Sequence, residues 1–93
     1  MFLFDDYRID VEKRSVAEGG KEIPLTSREV DLVLTLAQNA GRPFSRDELL
    51  SLIWDDNYFG SDRVVDDLVR RVRKKLPKFN IETVYGQGYR FVI

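Results

Sequence analysis

The chain has 93 residues and a net charge of −1 at pH 7, and 43% of its residues are hydrophobic and 33% charged. This length supports one domain with a single modest core, and no apolar run is long enough to span a bilayer. Because the sequence has neither cysteine nor histidine, it can form no disulfide and no thiolate zinc site and lacks the commonest general base. We therefore expect a cytoplasmic protein that binds no cofactor and is not an enzyme.

Residues 1–25 predict a small antiparallel sheet. Apolar and polar side chains alternate there, as in half-buried strands. The apolar members are Phe2, Phe4, Tyr7, Ile9, Val11, Val16, Ile23 and Leu25. Gly19 and Gly20 supply a turn before the last two of them. We predict three or four short strands in this segment.

Two helices are predicted next, and each begins at a capping box. Residues 26–29 (TSRE) and residues 45–48 (SRDE) place a hydroxyl side chain three positions before a glutamate. Apolar residues at helical spacing follow both boxes, and Gly41 and Pro43 stop the first helix. Residues 55–61 (DDNYFGS) show no periodicity and predict a loop with exposed aromatic side chains.

Residues 62–76 predict a third helix with one apolar side. Four apolar residues lie within about 60° of one another on a helical wheel: Val65, Val69, Val72 and Leu76. Asp66 with Arg70, and Asp67 with Arg71, have the i,i+4 spacing of helix ion pairs. Pro77 ends the helix.

Charge is unevenly distributed along the chain. Residues 1–61 carry seven basic and twelve acidic side chains, whereas residues 62–93 carry eight basic and four acidic ones. Any contact with a polyanion is therefore expected in the C-terminal third. The basic helix could instead face solvent, with its charged side chains paired within the helix, or it could bind an acidic protein.

The last residues predict a β-hairpin. Two β runs, 81–85 and 89–93, flank Gly86-Gln87-Gly88, where positive φ angles are expected. Two capped helices, a basic third helix and a hairpin follow the plan of a helix-turn-helix with a wing, in which the last helix enters the major groove of DNA. This order of elements favours nucleic acid over the two alternatives.

Three segments occur in order at matching spacing: LTSREVDLVLTLAQNAGRPFSRDELLSLIW, DRVVDDLVRRVRKKL and TVYGQGYRF. Together they resemble the DNA-binding effector domain of OmpR/PhoB-type response regulators, the output half of two-component systems. The resemblance implies one α+β winged helix-turn-helix domain over residues 1–93. It comprises an N-terminal four-stranded antiparallel sheet (1–25), a three-helix core (26–76) and a C-terminal hairpin wing (81–93).

The resemblance also implies roles for single residues. Those expected to face bases in the major groove are Arg63, Val64, Asp67, Leu68, Arg71 and Lys75. Those expected to contact phosphates are Trp54, Arg70, Lys74 and Thr83. The wing tip, expected at the minor groove, is Tyr85, Gly86, Gln87 and Gly88. The loop expected to contact RNA polymerase contains Asn57, Tyr58 and Phe59.

Some of these roles have alternatives. Trp54 could also pack in the core, and Tyr58 or Phe59 could fold back on it. Asp67 could accept a hydrogen bond from cytosine or pair with Arg71. The family usually has threonine where Val64 stands and commonly arginine where Tyr85 stands, so this chain lacks that threonine hydroxyl on the third helix and that arginine cation at the wing.

The resemblance implies further partners for the complete regulator. They are double-stranded DNA with directly repeated half-sites, a second copy of the domain on that DNA, RNA polymerase, a phosphorylatable receiver domain and a sensor kinase. Met1 is compatible with either an excised fragment or a free-standing domain. The rival hypothesis is a protein-interaction module whose basic helix binds an acidic partner and never touches DNA.

Overall fold

The computed structural model describes residues 1–93 and contains six strands and three helices. The strands are β1 (Phe2–Phe4), β2 (Tyr7–Asp10), β3 (Ser15–Glu18), β4 (Lys21–Ile23), β5 (Ile81–Val84) and β6 (Gly88–Phe91). The helices are α1 (Ser27–Ala37), α2 (Arg46–Ile53) and α3 (Arg63–Lys75). None of the three helices could cross a membrane, because each is too short and too polar. The α+β fold, with its sheet, three helices and hairpin, confirms the sequence prediction.

The first four strands form one antiparallel sheet in the order β1-β2-β3-β4. In its register Phe2 lies opposite Ile9, Ile9 opposite Val16, and Val16 opposite Ile23. These apolar side chains therefore form one row across the face that packs on the core. The sheet has four strands, the larger of the two numbers that the sequence predicts.

Both capping boxes are present and fix where α1 and α2 begin. The hydroxyl of Thr26 accepts from the Glu29 N–H, and the Glu29 carboxylate accepts from the Thr26 N–H. Ser45 and Glu48 make the same reciprocal pair. Each box satisfies two backbone N–H groups that would otherwise lack a partner at a helix start.

Helix α3 is buried along a wider stripe than the sequence analysis predicted. Val65, Val69, Val72 and Leu76 are buried as expected. Leu68, which is predicted to face a DNA groove, is also buried, with only 3% of its surface exposed, although it lines a surface groove beside α3. Leu68 lies three residues after Val65 and four before Val72, which places it on the face that packs against the core.

The wing is attached to the core by a short β-bridge that the sequence did not indicate. Phe44 and Tyr89 exchange two backbone hydrogen bonds of 2.8 and 2.9 Å, and the Gly41 N–H donates to the Phe91 carbonyl over 2.7 Å. The segment before α2 thus extends the two-stranded β5–β6 hairpin on its β6 side. This bridge fixes the direction in which the hairpin leaves the domain.

Candidate nucleic-acid interface

The outer surface of α3 carries six exposed cations. They are Arg63, Arg70, Arg71, Arg73, Lys74 and Lys75. The helix can present them because its apolar stripe is held in the core. They differ, however, in what each side chain already binds.

Asp67 holds two of these guanidinium groups. Its Oδ2 lies 2.8 Å from a terminal nitrogen of Arg71, and its Oδ1 accepts a hydrogen bond from Arg70. The hydrogen bond from Arg70 is the main reason that the pKa of Asp67 lies below its ordinary value. The predicted Asp67–Arg71 pair is confirmed. The predicted Asp66–Arg70 pair is wrong, because Asp66 is directed towards the wing and α2.

A groove of about 630 Å³ runs beside α3. Its walls include Arg28 at the start of α1, Trp54 at the end of α2, and Val64 and Arg71 of α3. The Arg28 guanidinium lies 5.1 Å from the centre of the Trp54 ring, a distance suited to a cation–π contact. The Trp54 ring is half-buried, so it both packs against the core and contributes to the groove. Sequence reasoning treated Arg28 only as part of a helix start signal and missed its place here.

Lys75 is exposed, but its side chain reaches α1. Its ammonium lies 2.7 Å from Oε1 of Glu29, a side chain with no exposed surface. Burial raises the pKa of Glu29, but hydrogen bonds from Lys75 and Thr26 outweigh it, and the pKa lies below its ordinary value. Lys75, which is expected to face the groove, is exposed, but its ammonium is bound to this buried carboxylate.

Asp66 connects α3 to two other elements. Its Oδ1 accepts from the Tyr89 hydroxyl on β6 and from Nε of Arg46 at the start of α2, the latter over 2.9 Å. Burial raises the pKa of Asp66, but these hydrogen bonds hold it below its ordinary value. Burial, together with the carboxylate, raises the pKa of Tyr89. The cluster therefore fixes the wing relative to α3.

We expect acid to destabilise the domain. The folded-state pKa values of Asp66 and Glu29 lie below the unfolded values of 3.8 and 4.5. The stabilisation from both carboxylates is therefore present above those values and is lost as the pH falls through the folded-state pKa. A series of thermal midpoints measured at decreasing pH should decline below about pH 4.5. A Tyr89→Phe variant, which lacks one donor to Asp66, should lose less stability on acidification; an equal loss would contradict this assignment.

The wing presents an uncharged tip. Tyr85 is 91% exposed, and Gly86 and Gln87 beside it are also exposed. Arg73 of α3 donates to the Ile81 carbonyl over 2.6 Å and to the Thr83 hydroxyl oxygen over 3.0 Å. Because the Thr83 hydroxyl acts as acceptor in this bond, its own hydrogen remains free to be donated to an anion.

The α2–α3 loop separates its two aromatic residues. Tyr58 is half-buried with its ring 6.3 Å from that of Trp54, and its hydroxyl donates to the Ser61 carbonyl over 3.0 Å. Phe59 is 91% exposed, and Asn57 is exposed as well. The alternative of folding back therefore applies to Tyr58 and not to Phe59.

Comparison with known proteins adds family evidence to this geometry. The family described as "Transcriptional regulatory protein, C terminal" matches residues 20–91. Transcriptional regulatory protein CssR of Bacillus subtilis is 49% identical over an alignment of 87 residues that covers 92% of this chain. The chain spans only 39% of the length of that relative.

Solved structures agree with the fold. The crystal structure of the DNA-binding domain of Bacillus subtilis CssR has a TM-score of 0.86 and 48% identity, covering 92% of this chain and 99% of that one. The Klebsiella pneumoniae RstA DNA-binding domain, solved in complex with the RstA box, has a TM-score of 0.84 and 35% identity, covering 98% of this chain and 95% of that one.

Proposed function

This chain belongs to the OmpR/PhoB-type family of transcriptional regulatory effector domains, and we propose that it binds double-stranded DNA sequence-specifically to control transcription. The observation that carries the proposal is the exposed guanidinium surface of α3 beside an exposed wing tip. A major groove about 12 Å wide admits such a helix. The wing would then lie at the adjacent minor groove, with Tyr85, Gly86, Gln87 and Gly88 at its tip.

Base recognition is assigned to the outward residues of α3. Arg63 and Arg71 are exposed and Val64 and Asp67 are partly exposed, whereas Leu68 is only 3% exposed and the Lys75 ammonium is bound to Glu29. Arg71 is the principal base reader in this proposal, because bidentate arginine–guanine contacts are the commonest specific ones. Asp67 binds one guanidinium nitrogen of Arg71 and so restricts the orientation of the group that reads the base.

Phosphate contacts are assigned around this reading surface. Trp54, Arg70, Lys74 and Thr83 retain the roles that the family resemblance implies, and Arg28 joins them. Trp54 and Thr83 are uncharged donors, so the three cations Arg28, Arg70 and Lys74 should give a slope near −2.7 in a plot of log K against log salt, at about −0.9 each. A protein-interaction module would show no such dependence, since it would not bind the duplex.

The related regulatory proteins are longer than this chain, and the remaining partners are proposed for such a complete regulator. We propose that a second copy binds a directly repeated half-site, and that a phosphorylatable receiver domain and a sensor kinase control the pairing in the cytoplasm. The exposed Phe59 and Asn57 form the part of the loop best placed to contact RNA polymerase. The family consists of regulators that bind DNA, so no catalysis is assigned.

Selection of bound duplexes from a random pool tests the proposed function. The purified domain should enrich one short motif that contains a guanine opposite Arg71. Recovery of sequences no different from the starting pool would contradict sequence-specific binding. Absence of any duplex binding, even at low salt, would favour the protein-interaction module.

Replacing Arg28 should weaken DNA binding alike for every sequence. In Arg28→Gln one phosphate contact is lost, so the salt slope should become less negative by about 0.9 while base preference stays unchanged. Arg8→Gln is a matched control, because Arg8 is exposed on the N-terminal sheet, away from α3. Fluorescence anisotropy titrations at several salt concentrations measure both slopes. Equal slopes for Arg28→Gln and the unaltered chain would exclude the phosphate contact.

A further inference from the structure

The Glu29–Lys75 pair joins residues 46 positions apart in the chain. Oε1 of Glu29 accepts from the Thr26 N–H over 2.7 Å and from the Lys75 ammonium over 2.7 Å. Oε2 is buried and has no hydrogen-bond partner. Lys75 is therefore the only cation that compensates a fully buried negative charge.

The two neighbouring lysines at the end of α3 differ in whether they pair with a carboxylate. Lys74 is exposed and makes no ion pair, whereas Lys75 is bound to α1. Moving the Lys75 ammonium to a DNA phosphate would leave the buried Glu29 carboxylate without its counter-ion. Leaving a buried carboxylate uncompensated is unfavourable, although the Lys75 side chain itself is 39% exposed. Two adjacent lysines with the same formal charge are thus unequal in their availability to DNA.

We propose that Glu29 is a positioning residue for DNA binding, whose buried carboxylate holds Lys75 so that Lys75 anchors the C-terminal turn of α3 to α1 and neutralises no phosphate. This inference rests on the proposed function. Lys75 lies one helical turn beyond Arg71, so the anchor fixes the end of the helix that carries the reading guanidinium. The capping box of α1 and the orientation of α3 then depend on the same carboxylate.

The salt slope of duplex binding tests this assignment. Lys74→Met should make the slope less negative by about 0.9, because one phosphate contact is lost, whereas Lys75→Met should leave the slope unchanged. An equal change in both variants would overturn the inference. If Lys75→Met does not fold, the double variant Glu29→Gln/Lys75→Met removes the uncompensated charge, and its slope is read in the same way.

Glu29→Gln provides a readout that a purely structural role would not move. Glutamine keeps an oxygen for the Thr26 N–H but releases the Lys75 ammonium beside Arg71, so the slope should become more negative by about 0.9. An unchanged slope would overturn the positioning role. Failure of the unaltered chain to bind duplex DNA would instead overturn the proposed function, and the inference with it.

Discussion

Gly88→Ala is expected to lose a large part of the folding stability. A Cβ atom at this position would lie 1.9 Å from the Phe44 carbonyl oxygen and 2.8 Å from its carbonyl carbon, which are backbone atoms that cannot rotate away. The φ angle of Gly88 is also +131°, a conformation that alanine rarely adopts. Strain of this kind, plus loss of the two Phe44–Tyr89 hydrogen bonds, should cost about 3–5 kcal/mol. Typical domains have about 5–15 kcal/mol of stability, so this loss is large.

Gly86→Ala is the matched control for Gly88→Ala. Gly86 also has a positive φ, +77°, but nothing lies within 4 Å of the Cβ position. Its substitution should cost only about 1–2 kcal/mol, the ordinary penalty for a left-handed residue. Urea denaturation of both variants measures the difference. Equal losses would show that the close approach to Phe44 does not constrain the wing.

Arg71→Ala is expected to relax base preference at one position of the bound site. Loss of a bidentate guanine contact should remove about 1–3 kcal/mol of discrimination there. Arg70→Ala should instead weaken binding to all sequences alike, with a slope less negative by about 0.9. In Arg70→Ala the 2.8 Å contact between Asp67 and Arg71 can persist, so the Arg71 guanidinium keeps its orientation.

Anisotropy titrations against duplexes with single base-pair changes measure this difference. The selected motif is the reference, and each variant is titrated against it and its point-substituted versions. Discrimination should collapse at one base pair for Arg71→Ala and be retained throughout for Arg70→Ala. Equal effects of the two variants on base preference would contradict the assigned roles.

The elements of the fold follow from local signals in the sequence. Capping boxes at residues 26–29 and 45–48 mark two helix starts, and apolar periodicity defines the third helix. The alternating N-terminal segment predicts strands because neighbouring side chains point to opposite faces. The helical wheel does not predict the burial of Leu68, because a helix that packs against several neighbouring elements buries a wider part of its circumference than a single apolar stripe indicates.

Long-range contacts could not be read from the sequence. The Phe44–Tyr89 bridge and the Asp66 cluster each join segments at least 20 residues apart, and no local pattern encodes such pairings. Spacing alone pairs Asp66 with Arg70, whereas its partners in the structure are Arg46 and Tyr89.

The candidate site was predictable in outline and not in detail. Composition identifies α3 as basic, and periodicity identifies its outer face. Neither reveals that Lys75 is bound to a buried carboxylate or that Arg28 lies in the groove beside Trp54, because these partners come from other elements. The availability of each cation is a property of the tertiary structure.

Duplex DNA is expected to contact the outer face of α3 and the wing tip. The most direct test of this contact is a nuclear magnetic resonance titration of the labelled domain with a selected duplex. The amide chemical shifts of residues 63–74 and 83–88 should change, whereas those of residues 2–23 in the N-terminal sheet should not. Changes confined to the sheet, or no changes at α3, would show that α3 is not the DNA-binding surface.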